Sequence, residues 1–393
     1  MSAVYMIDGA RTAFGSFGKS LKDVATAELG VITAKEAMKR SGVDPQEIGE
    51  VVYGNVIHSS RNAPYVARHI ALKSGVPIQT PALLVNRLCG SGLQAVISAA
   101  ITLQHEDAQV ALCGGVENMS MSPHVTFNSR FHTQKFGSLQ LEDMLLNTLT
   151  DEYLGSGMGI TAENLARKYE ITREEQDEYA LLSHKRAAAA IKSGRLSEEI
   201  IPVVIGKEGQ EFSRDELVKE DTTLEKLAAL KPSFEKGGTV TAGNSSGIND
   251  GAVSIILAEE RKMKEKKIKP LAKIVSWAVS GVEPSIMGIG PVPAATRALE
   301  KAGLSINDID YVEVNEAFAS QYLAVEKELK LNREKTNVNG GAISLGHPVG
   351  ASGARILLSL AYELRHKGAR YGLASLCIGG GQGIAMIIEN VGD

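Results

Sequence analysis

The sequence predicts an α/β fold in which a βαβαβαββ unit occurs twice. The two pseudo-equivalent halves pack around buried central helices, and a loop domain is inserted in the first half. Three observations lead there. Short apolar runs alternate with helical patterns at both ends of the chain, the two ends match each other at a constant offset, and the stretch between them changes in composition.

In the first half, strand-like runs at 4–7, 50–55, 81–86 and 109–113 are separated by helical patterns near 26–41, 63–74 and 93–105. Strands alternating with helices of this length indicate a layered α/β arrangement. In the helix at 93–105, Gln94, Ser98 and Thr102 recur every four residues and nearly everything else is Ala, Val, Ile or Leu. That is the pattern of a helix buried almost all round. Residues from about 117 to 249 are richer in Met, Asn, Ser and charge, with a long polar helix near 173–193. A strand at 252–258 restores the α/β pattern. The run 261–269 holds six Lys or Arg in nine residues, the composition of a solvated link. The expected division is 1–117 plus 250–268 for the first α/β half, 118–249 for the inserted domain, and 269–393 for the second half.

The repeat has a register. Arg40-Ser41-Gly42-Val43 with Ile48 and Val51 lies over Lys301-Ala302-Gly303-Leu304 with Ile309 and Val312, an offset of 261 residues. Ser91-Gly92 lies over Ser352-Gly353 at the same offset. The strands ending in Cys113-Gly114-Gly115 and Cys377-Ile378-Gly379-Gly380 correspond after a three-residue slip.

Bulk properties narrow the function. A net charge of −4 makes no case for nucleic acid or an anionic membrane as partner. Three cysteines with no C-x-x-C pair form neither a disulfide framework nor a redox motif, and eight histidines without H-x₃₋₅-H spacing argue against a zinc site, so no metal is expected. No apolar run reaches about 18 residues, and residue 4 already begins a strand. A cytoplasmic location is therefore expected.

The chemistry gathers at the glycine-rich turns. Asn86-Arg87-Leu88-Cys89-Gly90-Ser91-Gly92 sets a lone cysteine at the start of the first buried helix, where free backbone N–H groups and the dipole favour a thiolate. In the second half the matching turn, 339–355, carries Gly346-His347-Pro348 before a buried helix at 356–364. If the buried helices pack together, Cys89 and His347 come from matching ends, and a thiolate–imidazolium pair becomes possible. Asn315-Glu316-Ala317-Phe318 follows a strand at 311–314; Asn as helix N-cap with Glu in the first turn explains it structurally. The same segment stands at the strand ends where α/β folds bind ligands. Cys377-Ile378-Gly379-Gly380-Gly381-Gln382-Gly383 supplies bare backbone N–H groups of the kind an oxyanion hole needs.

Together these motifs, with Gly114–Ser120 and Thr239–Asp250, resemble the thiolase family over essentially the whole chain, and most nearly its acetyl-CoA acetyltransferase type. The resemblance implies a thiolase-like fold and an acyl transfer between coenzyme A thioesters: two acetyl-CoA condensing to acetoacetyl-CoA and CoA, or the reverse thiolysis. A 3-ketoacyl-CoA thiolase of broader or longer chain specificity is the alternative. It implies Cys89 as nucleophile, His347 as its base and Cys377 as second acid/base. Asn315 would fix a water at the enolate oxygen, and the N–H groups of Cys89 and Gly379 would form the oxyanion hole. For CoA it points to Ser246, Ala242 and Phe234 near pantetheine and Lys219 at the nucleotide end, with Met158 among the CoA and substrate contacts and Met287 and Phe318 walling the acyl pocket. CoA thioesters are substrates in this reading, and no cofactor is implied. A homotetramer, a dimer of dimers, is expected, with residues 119–125 near the assembly loop. The chain departs from short-chain biosynthetic members at Ser156-Gly157, where they carry Tyr-His.

Three rivals are weaker. Residues 13–20 approach a P-loop, but Ala13 replaces its first glycine and no strand ends in a magnesium-binding Asp. A catalytically dead binding relative has no need of Cys89, His347, Asn315 and Cys377 together. Ketoacyl synthases, which share the duplicated fold, place a second His where Asn315 stands.

Overall fold

The computed structural model describes residues 2–127, 129–131 and 136–392. Its first half runs β1 (Val4–Thr12), α1 (Thr26–Ser41), β2 (Glu50–Gly54), α2 (Val66–Lys73), β3 (Ala82–Val85), α3 (Ser91–Gln104) and β4 (Val110–Asn118). The chain then leaves the sheet, forms α4 (Met158–Lys168) and α5 (Arg173–Lys192) among short hairpins, and returns as β5 (Asn249–Glu259). The second half runs β6 (Ala272–Gly281), α6 (Pro291–Ala302), β7 (Tyr311–Val314), α7 (Ala319–Leu329), α8 (Val349–Lys367), β8 (Tyr371–Ile378) and β9 (Gln382–Glu389).

The 261-residue offset reappears in local geometry. α1 ends at Gly42 with φ 66° and α6 at Gly303 with φ 67°, the left-handed cap that glycine adopts without strain. Each is followed by a one-turn 3₁₀ segment closed by a capping box, Asp44 with Glu47 and Ser305 with Asp308. The first strand of each half carries a bulge, between Met6 and Asp8 in β1 and between Ile274 and Ser276 in β6. One element is reduced in the second half: in place of β3 it has a single bridge, Thr336 to Val312.

The main sheet runs β7-β8-β9-β6-β1-β5-β4-β2-β3. The halves join where β1 and β6 pair antiparallel, Tyr5 opposite Lys273 and Met6 opposite Ala272. Alternate strand residues separate two environments. Ala111, Cys113, Val253 and Ile255 of the first half, with Leu376, Ile378, Ile384 and Met386 of the second, face one core filled by α3 and α8. The opposite faces are covered separately, by α1 and α2 in one half and by α6 and α7 in the other. This is the layering that period-2 strands and helices buried on most sides require.

α3 and α8 cross at the Ser-Gly pair each contributes. A Cβ on Gly92 would stand 2.7 Å from the backbone nitrogen of Ala354, and one on Gly353 would meet the backbone nitrogen of Leu93 more closely still. Glycine is needed there because backbone meets backbone. α3 begins at Ser91 and α8 spans Val349–Lys367, so both are longer toward their N-termini than the apolar runs suggest. The Gln94, Ser98 and Thr102 stripe of α3, with Ile101, is the side left partly open.

The excursion is tied to the sheet by a buried ionic knot. Arg11 holds Glu199 through Nε at 2.9 Å and Asp215 through both terminal nitrogens at 2.7 and 2.9 Å. The near-P-loop makes no phosphate cradle. The N–H of Ser16 and the hydroxyl of Ser20 are both taken by the carboxylate of Glu216. The basic link forms a short exposed helix, Glu260–Lys266, whose Lys262 and Lys266 pair with Glu47. Among the described residues no helix is long and apolar enough to cross a membrane.

Candidate active site

Three turns converge where β3, β8 and the start of α8 end. The cysteine turn is held by Ser91, whose hydroxyl accepts the N–H of Arg87 at 2.8 Å and donates to the carbonyl of Leu88 at 2.7 Å. Asn86 Oδ1 accepts the N–H of Leu88 at 2.9 Å. The tightness shows in Leu88, whose φ is 46°; a left-handed leucine costs about 1–2 kcal/mol. Cys89 follows it, partly exposed, with its own N–H and that of Gly379 directed at its sulfur.

The histidine turn depends on Gly346, at φ 110°, where a Cβ would lie 2.5 Å from the Asn249 carboxamide. Asn249 Oδ1 accepts the N–H of His347 at 3.0 Å. The imidazole is oriented by Ser352: its hydroxyl lies 2.6 Å from Nδ1 and 2.9 Å from the carbonyl of Pro348. A hydroxyl has one proton. Given to the carbonyl, it leaves Ser352 Oγ to accept from Nδ1–H, so Nε2 is the bare nitrogen. Nε2 faces Asn315 Nδ2 at 3.4 Å. Asn315 is fully buried at the end of β7, and its Oδ1 finds no protein partner.

Cys377 lies at the end of β8, opposite Gly383 of β9. Gly380 and Gly381, at φ 76° and 80°, make the return. Cys377 shares a small apolar cluster with Met287, Ala317, Phe318, Val240 and Met158. A Cβ on Gly379 would stand 3.2 Å from Met158 Sδ and 3.4 Å from Leu88 Cδ1, so these side chains wall the space over that N–H. Cys89 packs in the neighbouring cluster with Leu88 and Val349, two residues from His347.

Electrostatics correct one expectation. Burial raises the Cys89 thiol above its ordinary range, against the pull of the Gly379 and Cys89 N–H groups. Burial, then the charge of Arg355, pushes His347 down to about 4. The resting pair is therefore thiol and neutral imidazole, not the thiolate–imidazolium suggested by the helix N-terminus; desolvation outweighs the dipole. Cys377 is raised further, by burial and then by Cys89 close by, and stays protonated.

Asn315-Glu316 is not a helix cap: α7 begins at Ala319, after Phe318. Glu316 is instead a buried carboxylate accepting from Tyr179, Ser183, Asn337 and the N–H of Ile343. Glu117 does the same across the halves, accepting from Asn55, from the N–H groups of Val56 and Ile57, and from that of Gly350 at 2.9 Å. Both lie in motifs visible in the sequence, as does Asn249. Only contacts reveal that they hold these turns, because nothing in a motif tells a ligand group from a brace.

A cavity of about 230 Å³ opens beside the site, lined by Lys219 and Ala242, with Ser245, Gly247, Leu217 and Lys226. Ser246 sits between two lining residues and gives its N–H to the carbonyl of Ala317 at 2.9 Å. Phe234 is half-exposed against Gly159 and edge-on to Phe318 at 5.9 Å. Gly157 leaves open space: a Cβ there would touch only the carbonyl of Leu149, at 3.6 Å.

Residues 4–261 match the family described as thiolase, N-terminal domain, and residues 268–390 the thiolase, C-terminal domain. The chain is 50% identical over 392 residues to the human mitochondrial 3-ketoacyl-CoA thiolase, covering 99% of each. It is 46% identical to an acetyl-CoA acetyltransferase of Cupriavidus necator, covering 99% of this chain and 100% of that one. The crystal structure of the human mitochondrial 3-ketoacyl-CoA thiolase in complex with CoA superposes with a TM-score of 0.96 at 49% identity, covering 99% of this chain and 98% of that one.

Proposed function

Because the chain belongs to the thiolase family of acyltransferases, we propose that it interconverts two acetyl-CoA with acetoacetyl-CoA and CoA through an acyl-Cys89 intermediate, in a ping-pong sequence. The observation that carries this is the bare Nε2 of His347, fixed by Ser352, on a turn whose Val349 shares an apolar cluster with Cys89, a thiol whose sulfur already faces two backbone N–H groups. In thiolysis, Cys89 gives its proton to His347 as its sulfur attacks the 3-keto carbon of acetoacetyl-CoA. The oxyanion takes the N–H groups of Cys89 and Gly379. The C2–C3 bond breaks, acetyl stays on Cys89, and the departing enolate takes a proton from Cys377. The raised Cys377 thiol suits a group that must arrive protonated. His347 and a water accepted by Asn315 Oδ1 hold the enolate oxygen. CoA then gives its thiol proton to the Cys377 thiolate and takes the acetyl group as a thioester. Protons and an acyl group are all that move, so CoA thioesters are substrates and no cofactor is called for.

The apolar cluster of Met158, Met287 and Phe318 around Cys377 supports a short acyl group. The open space at Gly157 supports the second reading, a thiolase of broader chain length; the human relative is named a 3-ketoacyl-CoA thiolase. Thiolysis of acetoacetyl-CoA against longer 3-ketoacyl-CoAs separates them. A kcat/KM that falls steeply beyond four carbons supports the first, and one that holds or rises supports the second.

A homotetramer fits the exposed Phe127, Phe131, Phe136, Leu139 and Leu141. These lie beyond 119–125, where Met119 is buried. Sedimentation at a mass near four chains tests it. Free thiols at 89 and 377 suit a reducing compartment, and we place the enzyme in the cytoplasm, a location that cell fractionation checks.

A further inference from the structure

The two halves finish the strand that leads to Asn315 in different ways. In the first half β2 is flanked by β3, and Tyr53 lies opposite Leu84 in that pair. At the 261-residue offset Tyr53 corresponds to Val314, the last residue of β7. Among the described residues no second strand runs beside β7 on that edge, where the chain offers only the bridge of Thr336 to Val312. Asn337, the residue after the bridge, supplies the missing partner with its side chain. Its N–H donates to the carbonyl of Val312 at 2.9 Å. Its Oδ1 accepts the N–H of Val314 at 2.9 Å, and its Nδ2 donates to the carbonyl of Val314 at 2.9 Å. One carboxamide thus makes both bonds that a neighbouring strand would make to that residue. The second proton of Nδ2 lies between Glu316 Oε1 and the Tyr179 hydroxyl oxygen, each at 3.1 Å.

Two further features make this an asparagine site. Asn337 is buried, so every polar end of its side chain must be matched within the protein, and each is. Its φ is 50°, the left-handed region that Asn enters more readily than other residues with a side chain. That turn takes the chain out of the sheet, the Asn337 carbonyl accepting the N–H of Gly340 at 3.0 Å on the way to the histidine turn. What the arrangement holds is Asn315. Among the described residues the Asn315 side chain meets no protein group but His347, so its aim comes from the backbone on either side. On the inner edge the Asn315 N–H donates to the carbonyl of Ser375 in β8 at 3.0 Å. On the outer edge Asn337 binds Val314 and Glu316, the residues before and after Asn315.

We propose that Asn337 is a positioning residue for the enolate step: it fixes both neighbours of Asn315, and through them the carboxamide that faces His347 and the enolate oxygen. This rests on the acyl-transfer reading, in which Asn315 serves the enolate. The test compares two reactions of the full-length enzyme. Thiolysis of acetoacetyl-CoA passes through an enolate; acetylation of Cys89 by acetyl-CoA, read by mass spectrometry in single turnovers, does not. Asn337→Gly keeps the left-handed backbone and removes the carboxamide. It is expected to lower kcat for thiolysis about 10- to 100-fold, the scale of one or two lost hydrogen bonds, with KM and the acetylation rate within about threefold of the parent. Added to Asn315→Ala, the same change is expected to cost less than about threefold more, because its target is already gone. Asn337→Asp keeps the shape and the acceptor for the Val314 N–H but sets a second oxygen against the Val314 carbonyl and Glu316, and is expected to show the same split. Thermal unfolding identifies the folded variants. Equal loss in both reactions, losses that multiply with Asn315→Ala, thiolysis within about threefold of the parent, or failure of both variants to fold overturns the proposal. A parent enzyme that cleaves no 3-ketoacyl-CoA overturns instead the reading it rests on.

Discussion

Replacing Ser352 by alanine removes one oxygen from the interior and tests the basis of the chemistry. Ser352 Oγ is the only protein group on His347 Nδ1 among the described residues, at 2.6 Å, and it holds the ring with Nε2 toward Asn315. Without it, Nδ1–H is buried with no acceptor, a penalty of about 1–3 kcal/mol on the productive tautomer. The other tautomer, with its proton on Nε2, leaves no N–H stranded at the Ser352 position but cannot take a proton from Cys89. At 1.4 kcal/mol per factor of ten, kcat is expected to fall about 10- to 100-fold. KM is expected to stay within twofold, because the Ser352 hydroxyl bonds only His347 and the carbonyl of Pro348 and none of the groups assigned to CoA. The assay is steady-state thiolysis of acetoacetyl-CoA together with the rate of Cys89 acylation, which should slow in parallel. Thermal unfolding separates this from collapse of the helix, since a small deletion in α8 leaves an ordinary cooperative transition. A kcat within twofold of the parent, with the variant folded, would refute the claim that this hydroxyl sets the base.

Other expectations follow from the same geometry. Cys89→Ala is expected to abolish acyl exchange and thiolysis to the limit of detection; measurable acetyl transfer would remove Cys89 as the nucleophile. Cys377→Ala is expected to slow acylation of Cys89 by acetoacetyl-CoA, whose enolate it protonates, much more than acylation by acetyl-CoA, whose thiolate can depart without a proton, and to lower condensation by at least about 100-fold. Normal condensation by that variant would take Cys377 out of the mechanism. His347 must be neutral to accept a proton, so kcat/KM is expected to hold as pH falls and to be lost only near pH 4, where the imidazole charges. Cys89, raised by burial, is expected to react with iodoacetamide at a rate still climbing above pH 8.5, the ordinary thiol value. A plateau by pH 7 would mean a resting thiolate. Gly353→Ala drives a methyl into the backbone of α3 at Leu93 and is expected to destabilise by about 1–3 kcal/mol or more, seen as a lowered thermal midpoint.

By itself the sequence determined the layered α/β class, the duplication and its 261-residue register, because these rest on local periodicity and on caps such as Gly42 and Gly303 that repeat within a few residues. It also marked Cys89, His347 and Cys377, each in a glycine-rich turn at a strand or helix end, and Asn315, which follows the strand at 311–314. The tertiary structure alone decided what those turns do to one another. Asn249 reaches from β5 to hold the N–H of His347, and Glu117 reaches across the halves to Gly350. The protonation of the site was likewise invisible: a helix N-terminus argues for a thiolate, whereas enclosure by both halves keeps Cys89 protonated and His347 neutral. Solvent exclusion is a property of everything packed around a group, and no stretch of chain carries it alone.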